Sequence, residues 1–420
     1  MNKNKFEIID GLRLQSHYLE NAIIEDSKIL RIVKKEYFIW AYELMNSGLI
    51  KELVDKNLFP KTKIHYINKE KKEITIESER IPIRNNFYTW SFDMIKKSAK
   101  ITLKVNNLAN KYGYELRDGH ILNCMFHFGK CLFIDFDSFV KINNIKKWIA
   151  SREFIEHQVK LLQVLSLQSN YEYQKSIKGM IGYIPDKIYK AVISYEDQVN
   201  RNEIINEVVL LEKISSITLN QTSTMWSSYH ENKDIINSYR IDNIIRLIKN
   251  YQPKNIIDLA SNSGLIAKEI LKNNNKVEYI VCIDKDHIAI NELFLSLKDE
   301  KILPIVSDIV YDFYLPYPYS KLIDNIKGEL VICLALTHHL ILTSNLEIDS
   351  IFKIIKKYSS KYVAIEFMPL GLYAGDIEKT PPTPDWYSEE WFENSFLKHF
   401  KLIKKEQTEI NRIMFFGEII

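Results

Sequence analysis

Residues Asn255–Leu265 read NIIDLASNSGL, and this stretch carries the strongest fold signal in the 420-residue chain. Its first five residues form a short and mostly apolar run, which is typical of a strand that is covered on both faces. A turn of small residues follows, and Ile266–Lys272 then shows helical spacing of its apolar positions. A strand, a tight turn and a helix in this order bring backbone N–H groups and the positive end of a helix up to a ligand.

A second apolar run, Tyr279–Asp284, ends in a carboxylate one helix and one strand further along. A carboxylate at that place can accept hydrogen bonds from the ribose hydroxyls of an adenosine cofactor. A pyrophosphate would require a loop of the form G-x-G-x-x-G, whereas the turn after the first strand contains only Gly264. The pattern therefore argues against NAD and favours a phosphate-free adenosine ligand, for which S-adenosylmethionine (SAM) is suitable.

The segment Asp258–Gly264 resembles the first motif of class I SAM-dependent methyltransferases, usually D-x-G-x-x-x-G, with alanine in place of the first glycine. The run Leu303–Asp308 matches the family's strand that ends beside the adenine, and Glu329–His339 matches its fourth strand and the motif after it. A single turn of this kind also occurs in unrelated folds, but four landmarks in the right order favour the methyltransferase. The resemblance implies a seven-stranded Rossmann-like sheet and a SAM site. Its residues are Asp258, Ala260, Ser261, Asn262, Gly264, Asp284, Asp308 and Leu334.

Candidate catalytic groups follow the fourth and fifth predicted strands, at the edge where ligands bind in open α/β sheets. His338 is the first candidate for the base that deprotonates an acceptor hydroxyl, because a histidine whose pKa is near neutrality suits that role. His339 is the second candidate; alternatively, one of the pair caps the next helix and packs against the cofactor. Glu366 is a further candidate base or substrate anchor. The sequence lacks N/D-P-P-Y here, which makes N-methylation of adenine or glutamine less favoured.

The stretch Leu116–Phe139 resembles the catalytic loop and metal site of protein kinases and aminoglycoside phosphotransferases. That resemblance implies Asp118 as the base, with Asn123 and Asp135 as ligands of Mg²⁺ on a bound ATP. The first ninety residues show neither a glycine-rich phosphate loop nor a convincing V-A-I-K lysine. The alternative is that the three side chains hold a loop together by hydrogen bonds.

The same region is also similar to the N-terminal part of large methyltransferases of the nodulation and polysaccharide-cluster type. The shared features are an E-x-I-P segment at Glu79–Pro82, a W-S-F segment at Trp90–Phe92, and the L-x-D-x-x-x-x-N and I-D-x-x-S-F patterns within Leu116–Phe139. We therefore expect a kinase-like α+β domain at residues 1–190, a helical connector at 191–224 and a class I methyltransferase domain at 225–420.

Local patterns predict several further elements. Apolar spacing predicts a helix over Ile32–Asn46 and another over Trp90–Tyr112, with a hairpin over Cys124–Ile134. The W-x-x-Y segment Trp226–Tyr229 is expected to cover the cofactor, or alternatively to pack a helix onto the sheet. The long irregular segment Phe367–Trp386 is expected to act as a lid over the active site.

Composition limits the alternatives. A formal net charge of +3 is too small to indicate nucleic-acid binding by itself. Four cysteines without C-x-x-C spacing suit a reducing compartment and no zinc site. No apolar run reaches the roughly 18 residues that a membrane span needs, and the N-terminus shows no signal peptide. We expect a soluble, cytoplasmic protein.

These observations predict a SAM-dependent methyltransferase. By resemblance, it methylates an oxygen of a sugar, a glycan precursor or a related small metabolite. The alternatives are a bifunctional enzyme that also uses Mg-ATP in its N-terminal domain, and a non-catalytic scaffold. The sequence leaves the acceptor and the oligomeric state open, because acceptor pockets are built from variable loops.

Overall fold

The computed structural model describes residues 18–143, 148–180, 183–199, 207–220, 239–297, 301–314, 326–373 and 375–420. The chain divides into two compact units, an N-terminal unit of residues 1–222 and a C-terminal unit of residues 223–420.

The N-terminal unit mixes helices with short antiparallel sheets. Its strands are β1 (Leu19–Ile24), β2 (Lys28–Val33), β3 (Thr62–Asn68), β4 (Glu73–Glu79), β5 (Tyr114–Leu116), β6 (Cys124–His127), β7 (Lys130–Phe133) and β8 (Phe139–Lys141). Its helices are α1 (Phe38–Asn46), α2 (Leu49–Asp55), α3 (Phe92–Asn110), α4 (Ser151–Phe154), α5 (Lys160–Leu165), α6 (Tyr171–Lys178), α7 (Asp186–Val192) and α8 (Glu207–Ser216). A π-helical turn, Ile155–Val159, joins α4 to α5. Strands β1 to β4 form an antiparallel sheet in the order β1-β2-β4-β3, and β5 pairs with β8 as β6 pairs with β7.

Two of the local predictions for this unit are confirmed, and a third is confirmed in part, with its start in the wrong place. Helix α3 and the β6–β7 hairpin form where the sequence placed them. The predicted helix over Ile32–Asn46 begins only at Phe38, because Ile32 belongs to strand β2. Ile32 pairs with Thr75 of β4, and this long-range pairing outweighs the local apolar spacing that suggested a helix.

The C-terminal unit is built on one seven-stranded sheet. Its strands are β9 (Asn255–Leu259), β10 (Tyr279–Asp284), β11 (Ile302–Val306), β12 (Gly328–Cys333), β13 (Ser359–Phe367), β14 (Phe400–Glu409) and β15 (Arg412–Ile419). Its helices are α9 (Tyr239–Tyr251), α10 (Leu265–Asn273), α11 (His287–Ser296), α12 (Tyr311–Tyr314), α13 (Ile348–Tyr358) and α14 (Glu389–His399), and His339–Thr343 forms a π-helical turn.

The order of the strands across this sheet is β11-β10-β9-β12-β13-β15-β14. Strands β9 to β13 are mutually parallel, while β15 runs antiparallel to both of its neighbours. The order reverses between β9 and β12, and ligands bind beside the carboxyl ends of strands at such a switch point. The seven strands with a closing antiparallel pair, as predicted, are therefore present and give this unit a methyltransferase-like fold.

Candidate active site

The turn after β9 requires small residues because three of its positions adopt left-handed backbone conformations. The φ angles are +59° at Ala260, +49° at Asn262 and +69° at Gly264. Few side chains tolerate that region, and glycine adopts it without strain. A Cβ atom at Gly264 would also lie 2.7 Å from a methyl carbon of Leu293. The geometry of the turn between β9 and α10 therefore explains why its residues are small.

Asp284, at the end of β10, holds this turn in place. Its Oδ2 accepts a hydrogen bond from the Asn262 N–H at 2.8 Å, and its Oδ1 accepts one from the Asp286 N–H at 2.8 Å. The Ser261 and Gly264 N–H groups also bond within the fold, so the turn does not offer these amides to a ligand as the sequence suggested. Each carboxylate oxygen keeps a second lone pair for a ribose hydroxyl. Burial, opposed by these two hydrogen bonds, raises the pKa of Asp284 to about 6.

Asp258, at the end of β9, is buried with an unused acceptor. Its Oδ2 has no hydrogen-bond partner within the described part of the chain. Burial raises the pKa of Asp258 to about 7, against the opposing charge of Arg240. Buried polar atoms are nearly always hydrogen-bonded, so an orphaned acceptor at the carboxyl end of a central strand is a candidate contact for a ligand.

The remaining predicted cofactor residues lie along the same edge. Asp308 follows β11, where its Oδ1 accepts hydrogen bonds at 3.0 Å from the N–H groups at the start of α12. Its Oδ2 lies 3.8 Å from Lys285 Nζ. Leu334 is buried directly after β12, and Ala335 follows with a φ of +51°. The fold thus brings residues from four neighbouring strands together at the carboxyl ends of these strands, while their contacts with SAM stay predictions.

Glu366 is fully buried, and its carboxylate is occupied by other groups of the protein. Arg240 donates to it from Nε at 2.7 Å and from Nη2 at 2.9 Å. Arg412 Nη1 and the Ala335 N–H each add a bond of 2.9 Å. With four donors on two oxygens, Glu366 is ill suited to the predicted role of a base. The contacts favour an anchor that holds two arginines and the turn after β12.

The pKa of His338 is lower than the near-neutral value expected of a catalytic base. Burial, together with the positive charges of Arg412 and Arg240 and the neighbouring His339, lowers the pKa of His338 to about 3. The expected near-neutral pKa is therefore wrong, and the imidazole is uncharged at pH 7. Its Nδ1 is buried and has no hydrogen-bond partner among the described residues. The two rings lie 4.1 Å apart, and burial also lowers the pKa of His339.

The segment after β13, expected to act as a lid, is irregular as predicted. A Cβ at Gly371 would lie 2.9 Å from a side-chain carbon of Leu342, in the π-helical turn that begins at His339. Asn411 accepts a hydrogen bond from the Leu370 N–H, and Tyr387 donates one to the Met368 carbonyl. The segment therefore packs against the helix turn that follows the candidate base, and its covering role stays a prediction. Residues 226–229 lie outside the described residues.

Sequence reasoning missed Arg240 and Arg412. The signal for the first was available, since Arg240 shares the buried face of α9 with Ile244 and Leu247. A charged residue at a buried position of an amphipathic helix requires a buried partner. Nothing local marks Arg412, because its partner Glu366 belongs to a strand 46 residues earlier.

The kinase-like residues also lie close together in the N-terminal unit. Asn123 Nδ2 donates to the Asp118 carbonyl at 3.5 Å, and Asp135 Oδ1 accepts from the Asp137 N–H at 3.1 Å. Burial and the charges of Asp137 and Asp118 raise the pKa of Asp135 to about 7. Across the described ranges, no three His, Cys, Asp or Glu side chains are arranged to hold a metal. The hydrogen bonds of Asn123 and Asp135 are contacts within the loop itself.

No family model matches the sequence, and no curated protein does. Solved methyltransferase structures are similar to part of the chain. Magnesium protoporphyrin IX methyltransferase from Synechocystis PCC 6803, with bound SAM, is 8% identical; the match covers 48% of this chain and 87% of that one, with a TM-score of 0.34. The N-methyltransferase NodS from Bradyrhizobium japonicum WM9 is 10% identical over 44% and 98%, with a TM-score of 0.33. A SAM-dependent methyltransferase from Aquifex aeolicus is 15% identical over 46% and 96%, with a TM-score of 0.34.

Among the described residues, no helix is long and apolar enough to span a membrane.

Proposed function

We propose that this protein is a SAM-dependent methyltransferase that methylates an oxygen of a sugar, a glycan precursor or a related small metabolite. The observation that carries the proposal is the arrangement at the sheet's switch point. Asp258 and Asp284 lie at the carboxyl ends of β9 and β10, Asp308 follows the neighbouring parallel strand β11, and Asp258 keeps a buried acceptor without a partner. The acceptor class rests on the resemblance of the sequence alone.

The side chains at this edge fit SAM group by group. The unpaired Oδ2 of Asp258 suits an ammonium group, and the remaining lone pairs of Asp284 suit ribose hydroxyls. Asp308 is expected beside the adenine, and Leu334 is a further cofactor-binding residue by the resemblance. When bound, SAM supplies a methyl group that its sulfonium already activates, so the protein mainly aligns the acceptor with it.

His338 is proposed to orient the acceptor hydroxyl. An uncharged imidazole with a free Nδ1 can accept the hydroxyl proton in a hydrogen bond, which directs an oxygen lone pair at the methyl carbon. A base this weak does not ionise an alcohol beforehand. Methylation converts the alcohol to a protonated ether, which is a strong acid, and His338 or His339 then takes that proton.

Isothermal titration with SAM, followed by transfer of a labelled methyl group to sugar and glycan acceptors, tests the proposal. We expect one SAM per chain and a loss of affinity in Asp284→Ala, since hydrogen bonds to charged groups contribute about 1.5–3 kcal/mol. Asp349→Asn, on the exposed start of α13, is the control and should bind SAM normally. Absence of SAM binding by the unmodified chain would contradict the proposal and favour the scaffold.

A second candidate is a phosphoryl-transfer activity that uses Mg-ATP in the N-terminal unit. The observation in its favour is the order of α3, the loop with Asp118 and Asn123, the β6–β7 hairpin and Asp135. Arg31 of β2 adds a positive charge that acts on Asp135. Transfer of γ-labelled phosphate that is lost in Asp135→Asn would support it. Unchanged background labelling would leave the methyltransferase as the sole activity.

Partner, location and domain limits remain part of the proposal. The net charge of +3 supports a small or glycan acceptor over a nucleic acid. We propose a cytoplasmic location, together with functional limits at residues 1–190, 191–224 and 225–420. Methylation assays on ribosomal RNA and on duplex DNA test the exclusion of nucleic acids, and labelling of either would overturn it.

A further inference from the structure

Asn411, in the turn that joins β14 to β15, is a buried amide with one group unused. Its Oδ1 accepts a hydrogen bond from the Leu370 N–H, and this bond fixes the orientation of the amide, because only the oxygen can accept. Its Nδ2 has no hydrogen-bond partner within the described part of the chain, although the residue is only 5% exposed. A buried donor without an acceptor is costly, and an oxygen of a ligand would remove that cost.

The turn that contains Asn411 lies at the edge where the parallel strands end. Ile413, just after this turn, pairs with Phe367, the last residue of β13. Strands β9 to β11, with the three predicted cofactor aspartates at or just after their ends, lie on one side of β12, and β15 lies on the other. His338 follows β12, between these two groups of strands. Asn411 is therefore placed beyond the histidine, where it can contact a methyl acceptor rather than the cofactor.

Arg412 links Asn411 to the histidine segment on one side. Its Nη1 donates to Glu366 at 2.9 Å. Glu366 also accepts the Ala335 N–H at 2.9 Å, in the turn that leads from β12 to His338. One buried carboxylate thus connects the turn before β15 with the turn before the candidate proton acceptor.

The segment after β13 links Asn411 to the histidines on the other side. Leu370 belongs to a turn that is closed by a 2.9 Å bond from the Gly371 N–H to the Met368 carbonyl. A Cβ at Gly371 would lie 2.9 Å from a side-chain carbon of Leu342, in the π-helical turn that contains the second histidine. The amide of Asn411 therefore holds a turn that packs directly against the histidine segment.

The charges around Asn411 favour an uncharged partner. Arg412 donates to Glu366 at 2.9 Å and to Glu409 at 2.8 Å. Arg240 also donates to Glu366, so two arginines are matched by two carboxylates whose charges offset theirs. A neutral amide donor beside a balanced network suits a hydroxyl oxygen better than a carboxylate or a phosphate, which is costly to bury without a matching cation.

We infer that Asn411 selects the acceptor by donating a hydrogen bond from Nδ2 to an uncharged hydroxyl, separate from the hydroxyl that receives the methyl group. This inference rests on the proposed function and deepens it, since it assigns a residue that recognises the acceptor. Nδ2 is covered in the ligand-free chain, so the turn of residues 368–371 shifts when the acceptor binds. The acceptor is a compound with at least two hydroxyl groups, as a sugar is.

Asn411→Asp tests this inference with the smallest change of shape. The carboxylate keeps an oxygen for the Leu370 N–H and replaces the donor with a second acceptor. The probes are the neutral sugar that takes up most labelled methyl in the transfer assay and its monodeoxy derivatives, used with the full-length chain at saturating SAM. The variant should raise the KM for the parent sugar about 10- to 100-fold, as expected when a buried polar group loses its partner. Its affinity for SAM should stay unchanged, which also shows that it is folded.

The deoxy derivatives separate recognition of one hydroxyl from a general disturbance of the site. With the unmodified protein, one derivative that keeps the methylated hydroxyl should show the same 10- to 100-fold rise in KM. Asn411→Asp should raise the KM for that derivative less than about threefold, because the bond is already missing. If the variant raises every KM equally or none at all, or if no derivative is sensitive, the inference is wrong while the proposed function stands.

Asn274→Asp is the matched control. Asn274 Oδ1 also accepts a backbone N–H, that of Lys276 at 2.9 Å, but this residue lies before the amino end of β10. The control should leave the KM unchanged for every sugar. If the unmodified chain binds SAM but methylates no sugar, the proposed acceptor class fails and the inference fails with it. If it does not bind SAM, the methyltransferase assignment itself fails.

Discussion

Each unit of this protein contains an aspartate whose pKa burial raises to about 7, Asp258 in one and Asp135 in the other, and the two sites differ in how their carboxylates are satisfied. In the C-terminal unit, Asp258 keeps an orphaned oxygen at the open edge of a parallel sheet. In the N-terminal unit, Asp118 pairs with Arg117 at 3.4 Å and Asp135 accepts a backbone N–H of its own loop. A raised pKa by itself shows crowding and burial. In the C-terminal unit the unused oxygen belongs to the aspartate with the raised pKa itself, whereas Asp135 has no such atom, and this combination favours the C-terminal site.

The largest difference between the units should appear in stability. Glu366→Gln leaves the buried Arg240 and the partly buried Arg412 without their shared anion, and breaking such a network costs about 3–5 kcal/mol of unfolding free energy. Asp118→Asn removes a partly exposed pair with Arg117 and should cost less than about 1 kcal/mol. Urea unfolding of the full-length variants measures both. Equal losses would show that the Glu366 network is not the stronger anchor.

Turnover should separate two histidines that each have a buried Nδ1 without a partner among the described residues, His338 and His120. His338→Gln should lower the methyl-transfer rate about 10²-fold while leaving SAM affinity nearly unchanged, because positioned proton acceptors contribute about 10²–10⁴-fold. His120→Gln in the N-terminal unit should leave that rate unchanged. An unaffected rate in His338→Gln would make this residue structural.

Cofactor affinity provides the same comparison for the carboxylates. Asp258→Asn should weaken binding of S-adenosylhomocysteine (SAH) by roughly 10- to 100-fold, because the ammonium group of the ligand loses its charged acceptor. Asp135→Asn makes the same chemical change in the other unit and should leave SAH affinity as it was. Calorimetric titration of both variants with SAH measures the two affinities. A comparable loss in Asp135→Asn would mean that the two sites are not independent.

The smallest expected effect is on how strongly SAH stabilises the chain at different pH values, and it follows from the pKa of Asp258. The pKa of Asp258 is about 7 in the folded chain and about 3.9 in a model peptide, so the folded state binds more protons between these values. Stability therefore falls as pH rises from about 4 to 7. Asp258→Asn should remove part of this fall and should stabilise the ligand-free protein at pH 8. SAH should stabilise the unmodified chain more at pH 8 than at pH 6, because its ammonium pairs with the ionised carboxylate. Thermal unfolding at the two pH values, with and without SAH, measures this; a smaller shift at pH 8 would contradict it.

Much of the fold could be predicted from local sequence, because its signals are local. The strand and turn at Asn255–Gly264 follow from a buried apolar run and from residues that tolerate left-handed conformations. The predicted start of the first helix at Ile32 was wrong. Pairing of Ile32 with β4, a strand distant in sequence, overrides the local spacing of apolar residues. The same limit applies to the site. Nothing near Glu366 reveals that Arg240 and Arg412 occupy it. The low pKa of His338 comes first from burial, then from His339 and from those same arginines.

A crystal structure of the full-length chain with SAH tests the central claim most directly. The account predicts adenosine at the carboxyl ends of β9 and β10, with Asp284 bonded to the ribose. The ligand's ammonium should lie within hydrogen-bond distance of Asp258 Oδ2. SAH bound elsewhere, or no bound SAH at saturating concentration, would contradict the account.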